Sequence, residues 1–142
     1  MAAIKPLDAA TTILVLDTGD DALETLLAFA LEQRITAAKL QAIGAFRDAT
    51  IAYWNAETKQ YEDIAVREQV EVLSFLGDLT SSDSGPKVHV HVTLGRRGGN
   101  TIGGHLRRGI VHPTLELFVT RYDAVLRRAK DPATGLDLIA LP

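Results

Sequence analysis

The chain has 142 residues, 46% hydrophobic and 23% charged, with 15 Lys and Arg against 18 Asp and Glu for a formal charge of −3. This is the composition of an ordinary globular chain, of a length that fits one domain over residues 1–142, and it excludes the disordered and fibrous classes. The absence of cysteine removes disulfides, thiolate metal sites and cysteine nucleophiles together, and no apolar run reaches the roughly 18 residues of a membrane span. No secretory pattern opens the sequence, so a cytoplasmic location is expected.

In chain order, residues 1–8 read as a polar lead-in. Thr11–Asp17 is β-branched and apolar, and predicts a first strand. Thr18-Gly19-Asp20-Asp21 is a helix-start signal: Thr18 is the expected cap, and the two aspartates suit the positive end of the dipole. Leu23, Leu26, Leu27, Ala30 and Leu31 then recur at helical spacing and predict a core-facing stripe.

After Ile35 the period shortens. Residues 39–46 and 49–54 predict two strands, with Gly44 as a bulge or a point of close packing. Residues 55–61 are polar and turn-like, residues 69–76 predict a strand closed by Gly77, and residues 81–86 a loop. Residues 87–94 and 115–122 predict strands joined by a glycine-rich connection, and residues 136–141 a short last strand. One helix followed by sequence-adjacent strands predicts an α+β fold with a largely antiparallel sheet.

The charge is segregated: residues 1–94 carry −7, residues 95–128 carry +5 and the last fourteen −1. The basic segment holds Arg96, Arg97, Arg107, Arg108, Arg121, Arg127 and Arg128, and all four histidines lie in or beside it. Such a segment suits an anion or nucleic-acid surface. The favoured reading is that these arginines meet the acidic residues of a neighbouring element or subunit. Nucleotide-binding glycine fingerprints, a serine elbow and a stacking platform of aromatics among the arginines are all absent from the sequence.

Lys87-Val88-His89-Val90-His91-Val92-Thr93-Leu94 is the most informative stretch. Alternate side chains of a strand share a face, so the valines point one way while His89, His91 and Thr93 point the other. Two imidazoles so placed can reach one metal ion at about 2.0–2.1 Å, and neutral imidazole suits Zn²⁺ or another divalent transition metal. His105, after Gly103 and Gly104, is the candidate third ligand, with His112 and Glu71 as alternatives. Three histidines and a water would make a catalytic-type arrangement, because structural zinc sites hold four protein ligands. The competing reading is a set of histidines satisfied by hydrogen bonds. The residues themselves assign no reaction.

Val88 to Leu94, Gly103-Gly104-His105-Leu106 and Thr114-Leu115-Glu116-Leu117 closely resemble the signature of the PPC domain (plants and prokaryotes conserved). Ala42-Ile43-Gly44-Ala45, Tyr61, Glu71-Val72-Leu73-Ser74 and Gly77 extend the resemblance, which covers residues 11–141. It implies a curved, mainly antiparallel sheet with one main helix packed on it, a fold similar to that of acetolactate decarboxylase, and a homotrimer. It also implies that His89, His91 and His105 are the metal ligands. Arg107, Arg108 and Glu71 are the candidate residues for a small anionic ligand beside that metal. A DNA-binding or transcription-associated role, or a trimeric protein-interaction scaffold, are the alternatives that the family implies. No Arg-Gly-Arg-Pro core is present, so an arm that reads the minor groove is not encoded in these residues.

Overall fold

A computed structural model describes residues 2–142. The elements are β1 (Ala3–Pro6), β2 (Thr11–Asp17), α1 (Ala22–Glu32), β3 (Ala37–Asn55), β4 (Gln60–Val66), β5 (Val70–Ser82), β6 (Gly85–Gly95), β7 (Thr101–Arg121), β8 (Arg127–Lys130) and β9 (Asp137–Ala140). The architecture is α+β, one helix on a curved and largely antiparallel sheet. The pairing order is β1-β2-β7-β3-β5-β8-β9, with β4 added to β3 and β6 paired to both β5 and β7. Because β3 also pairs with both β5 and β7, these four strands close on themselves like a small barrel. The sole parallel ladder among the described residues is a single contact, Ser81 with Arg127.

Closure depends on bending. β3 runs for 19 residues and β7 for 21, and their shared ladder shifts register at three places between Gly44 and Ile51. The ladder of β3 with β5 shifts once more, between Ala42 and Gly44. Such bulges increase local twist and let one strand serve two parts of the ring. The two strands expected over 39–46 and 49–54 are therefore one bent strand, and Gly44 is a bulge site as expected. The expected loop over 81–86 shrinks to a tight turn at Asp83 and Ser84. Gly103 and Gly104 belong to β7 rather than to a connection.

Asp21, not Thr18, caps the helix: its side chain accepts from the backbone N–H groups of Leu23 at 2.9 Å and Glu24 at 3.1 Å. Thr18 instead donates its hydroxyl to the Pro113 carbonyl at 3.1 Å. The helix buries Ala22, Leu26, Phe29 and Ala30 against β6 and β7, while Leu31 stays 67% exposed. The buried stripe is thus turned slightly from the expected one, because Phe29 is the largest apolar group available to fill the space. Phe46, Phe75, Leu14, Leu16, Leu40, Leu79, Leu115 and Leu117 complete the core.

The last hairpin is tied to the body by Arg128. Its guanidinium donates to Asp78 Oδ1 at 2.7 Å, Thr80 Oγ1 at 3.0 Å and the Asp137 carbonyl at 2.8 Å. Thr80 is the one fully buried polar side chain among the described residues, so this bond satisfies a group that water cannot reach. Replacing Arg128 by Ala leaves Thr80 and Asp78 without these donors, and we expect a loss of about 2 kcal/mol. Urea unfolding and limited proteolysis check this. An unchanged midpoint with residues 131–142 still protected would contradict it.

Candidate metal centre

Strand alternation sets the first half of the site. Val90, Val92 and Leu94 are buried in the core, so His89 and His91 stand on the outer face of β6. β7 then enters antiparallel with His105 directly opposite His91. The glycine pair makes that approach possible. A Cβ on Gly103 would lie 2.8 Å from the Val92 carbonyl oxygen, and one on Gly104 would lie 2.7 Å from that of Ala52. The pair lets β7 pass close to β6 on one side and β3 on the other, and delivers His105 to the cluster. Gly77, on the far side of β6, has the same function, since its Cβ would strike the His89 carbonyl.

The three rings converge. His89 Nε2 and His91 Nε2 are 3.1 Å apart, and ring centroids are separated by 4.8 Å (His89–His91), 5.3 Å (His89–His105) and 5.8 Å (His91–His105). One nitrogen from each ring lies within 4.8 Å of the other two. Nitrogens that share one tetrahedral zinc ion stand about 3.3 Å apart, so small ring rotations complete such a site. His105 Nδ1 is buried without a hydrogen-bond partner. That uncompensated nitrogen fits a centre that takes a ligand better than a set of histidines satisfied by the protein.

The electrostatics favour the same form. Burial, reinforced by the neighbouring His89, His91 and Arg107 and opposed by Asp63, pulls the His105 pKa from 6.5 down to about 4. Burial also lowers the His89 pKa, with His91 and Arg128 acting in the same direction and Asp78 against them. Both rings are therefore neutral near pH 7, the state in which imidazole binds a metal without first losing a proton. Tyr61 lies 4.9 Å from His105 between ring centroids, and Trp54 stacks edge-on against Tyr61 at 5.0 Å. Arg107 covers the Tyr61 ring at 4.9 Å and pairs with Asp63 at 3.2 Å. This stack fixes the orientation of the His105 ring.

Arg107, His89 and His105 line a common cavity of about 390 Å³, whereas Arg108 turns away to Asp48 at 2.6 Å. Glu71 lies opposite Gly95 at the far end of β6 and lines a separate cleft with Ile43 and Glu116. His112 meets the Thr18 hydroxyl at 3.3 Å, outside the cluster. Sequence reasoning missed Lys87 and Arg128, which line the same cavity as His89. Lys87 was within reach of the alternation argument, being two residues before His89 on one strand face. Arg128 had no local signal.

The basic segment is largely neutralised. Arg96 pairs with Glu68, Arg107 with Asp63, Arg108 with Asp48, Arg127 with Asp83 and Arg128 with Asp78. Every one of these carboxylates comes from the acidic part of the chain, as the favoured reading expected.

A family model for the Plants and Prokaryotes Conserved (PCC) domain matches residues 6–123. A metal-containing protein from Archaeoglobus fulgidus is 36% identical with a TM-score of 0.88, over 99% of this chain and 100% of that one. A candidate DNA-binding protein from Bacteroides thetaiotaomicron is 28% identical with a TM-score of 0.94, over 99% and 97% of the two chains. A protein similar to α-acetolactate decarboxylase from Staphylococcus aureus shares the fold at 13% identity, with a TM-score of 0.59 over 82% of this chain and 54% of its own. The bifunctional protein GlmU of Synechococcus sp. strain JA-3-3Ab is 32% identical over 120 residues, 82% of this chain. The chain spans 18% of the length of that relative.

Proposed function

The chain belongs to the Plants and Prokaryotes Conserved (PCC) domain family, and from that premise we propose that it is a metal-binding, homotrimeric member that holds a small anionic ligand. The convergence of His89, His91 and His105 carries this reading. The buried, unpartnered His105 Nδ1 and the metal-containing relative from Archaeoglobus fulgidus support it. A zinc-type ion, which His89, His91 and His105 would hold, would supply Lewis acidity. The protein's own residues hold the His89 and His105 rings neutral, orient His105 through Tyr61 and place Arg107 beside the centre. Exposed Ile43, Leu73, Leu76 and Phe118 on the strands around it support assembly, because apolar surface of this kind is normally covered. We read residues 1–142 as one domain.

Metal analysis and light scattering on the same chromatographic peak test both parts. The expected result is about one divalent ion per chain, on a particle of three chains, and loss of the ion when all three histidines are changed to Ala. Less than about a tenth of an ion per chain, unchanged in that variant, would sink the metal centre. A monomeric mass would sink the trimer.

Nucleic-acid binding is the second reading, favoured by the description of the Bacteroides relative. The ion pairs that occupy five of the seven arginines weigh against it. Phosphate binding by free arginines is strongly salt-dependent, so low ionic strength is the most permissive condition. We expect no shifted band with duplex DNA even there. A complex that dissolves as salt rises would reverse the order of the two readings.

A further inference from the structure

We propose that the cavity beside the three histidines binds a small molecule through a carboxylate or phosphate oxyanion held by Lys87 and Arg107. This rests on the metal-centre reading and says what that centre would face. The cavity is lined by three cationic side chains, Lys87, Arg107 and Arg128, and by one carboxylic residue, Asp137. The cleft by Ile43 is the reverse, with Glu71 and Glu116 and no cation. At about 390 Å³ the cavity lies at the small end of metabolite pockets.

The three cations differ in availability. Arg128 spends its donors on Asp78, Thr80 and the Asp137 carbonyl, so it contributes a fixed positive wall. Arg107 makes one exposed pair with Asp63 and keeps other guanidinium N–H groups available. Lys87 is exposed and has no carboxylate partner among the described residues. It follows the same outer face of β6 as His89, one alternation further along, about 7 Å away at the Cα level. A ligand a few atoms long therefore spans from the histidine centre to the Lys87 ammonium. Leu136 and Leu138 of the last hairpin supply apolar walls.

Calorimetric titration of Co²⁺-loaded and metal-free protein with acetate, inorganic phosphate and neutral acetamide tests this, with Co²⁺ uptake read from its visible spectrum. The expected result is that at least one anion binds more tightly than acetamide. Lys87→Gln and Arg107→Gln should each weaken that anion about tenfold, Lys87→Gln without changing Co²⁺ uptake, while Arg108→Gln leaves the anion affinity unchanged. The tighter of acetate and phosphate identifies the oxyanion. Equal anion affinity in wild type and both variants would overturn the proposal, since the anion would then rest on the metal alone. So would an affinity no better than that of acetamide. If no Co²⁺ is taken up but the metal-free protein binds an anion with the same Lys87 and Arg107 dependence, the metal reading falls and the anion site stands. If neither binds, both fall.

Discussion

Loading the protein with Zn²⁺ to about a thousand times its dissociation constant is expected to raise the melting temperature by about 12 °C near neutral pH, a stabilisation of about 4 kcal/mol. The gain should disappear when His89, His91 and His105 are all replaced by Ala. It follows from mass action, because the folded chain brings three imidazole nitrogens within 4.8 Å while the unfolded chain separates them. Differential scanning calorimetry at two zinc concentrations checks it. A melting temperature that ignores zinc, or a shift that survives in the triple variant, would count against the centre.

The metal-free protein carries a pH signature of the same cluster. Folded His105 titrates near 4, while in the unfolded chain it titrates near 6.5. Above 6.5 both forms are neutral and pH has no effect through this group. As the pH falls from 6.5 towards 4, the unfolded chain takes up a proton that the folded chain refuses, so stability is lost and the loss levels off below 4. A dry imidazole with that displacement would lose about 3.4 kcal/mol, and solvent screening of the half-buried ring reduces this to about 1.5 kcal/mol. His89 shifts in the same direction and adds to the loss. Urea midpoints of metal-free wild type should therefore fall more steeply with acid than those of His105→Gln. Parallel profiles would show that the ring is not desolvated.

Particular residues show what local sequence does and does not encode here. Val90 and Val92 against His89 and His91 were readable, because a period of two is a property of the strand itself. The same rule would have separated Arg107, on the His105 face, from Arg108, which turns to Asp48. Glu71 stands apart from the three histidines because antiparallel pairing sets it against Gly95, at the end of β6 and away from His89. The β4 strand escaped notice since Glu62, Asp63, Ile64 and Ala65 are all exposed, which leaves no alternation to detect. The Arg128 clamp is wholly non-local: β8 meets the body through one backbone pairing, and nothing near residue 128 announces Asp78 or Thr80.

Gly77→Ala should be the most damaging small substitution near the centre, costing about 3 kcal/mol, or about 9 °C in melting temperature. The added Cβ would collide with the His89 carbonyl and come within 2.8 Å of Val90 Cγ2 and 3.0 Å of Val90 Cα. Two of these three atoms are backbone, so rotamer changes cannot relieve the contact. β5 and β6 must instead separate where they pair at Gly77 and Val90. That separation carries His89 away from His91 and His105, and Val90 out of the core it shares with Phe75 and Leu79. Stability and metal content are therefore expected to fall together, with circular dichroism confirming that the variant is folded when its metal is counted. The exposed Ile64 on β4 provides the control: Ile64→Ala adds no atom to the interface of β5 and β6 and should keep its metal. A Gly77→Ala protein with wild-type stability and full metal content would mean that β6 does not need this close approach to position His89.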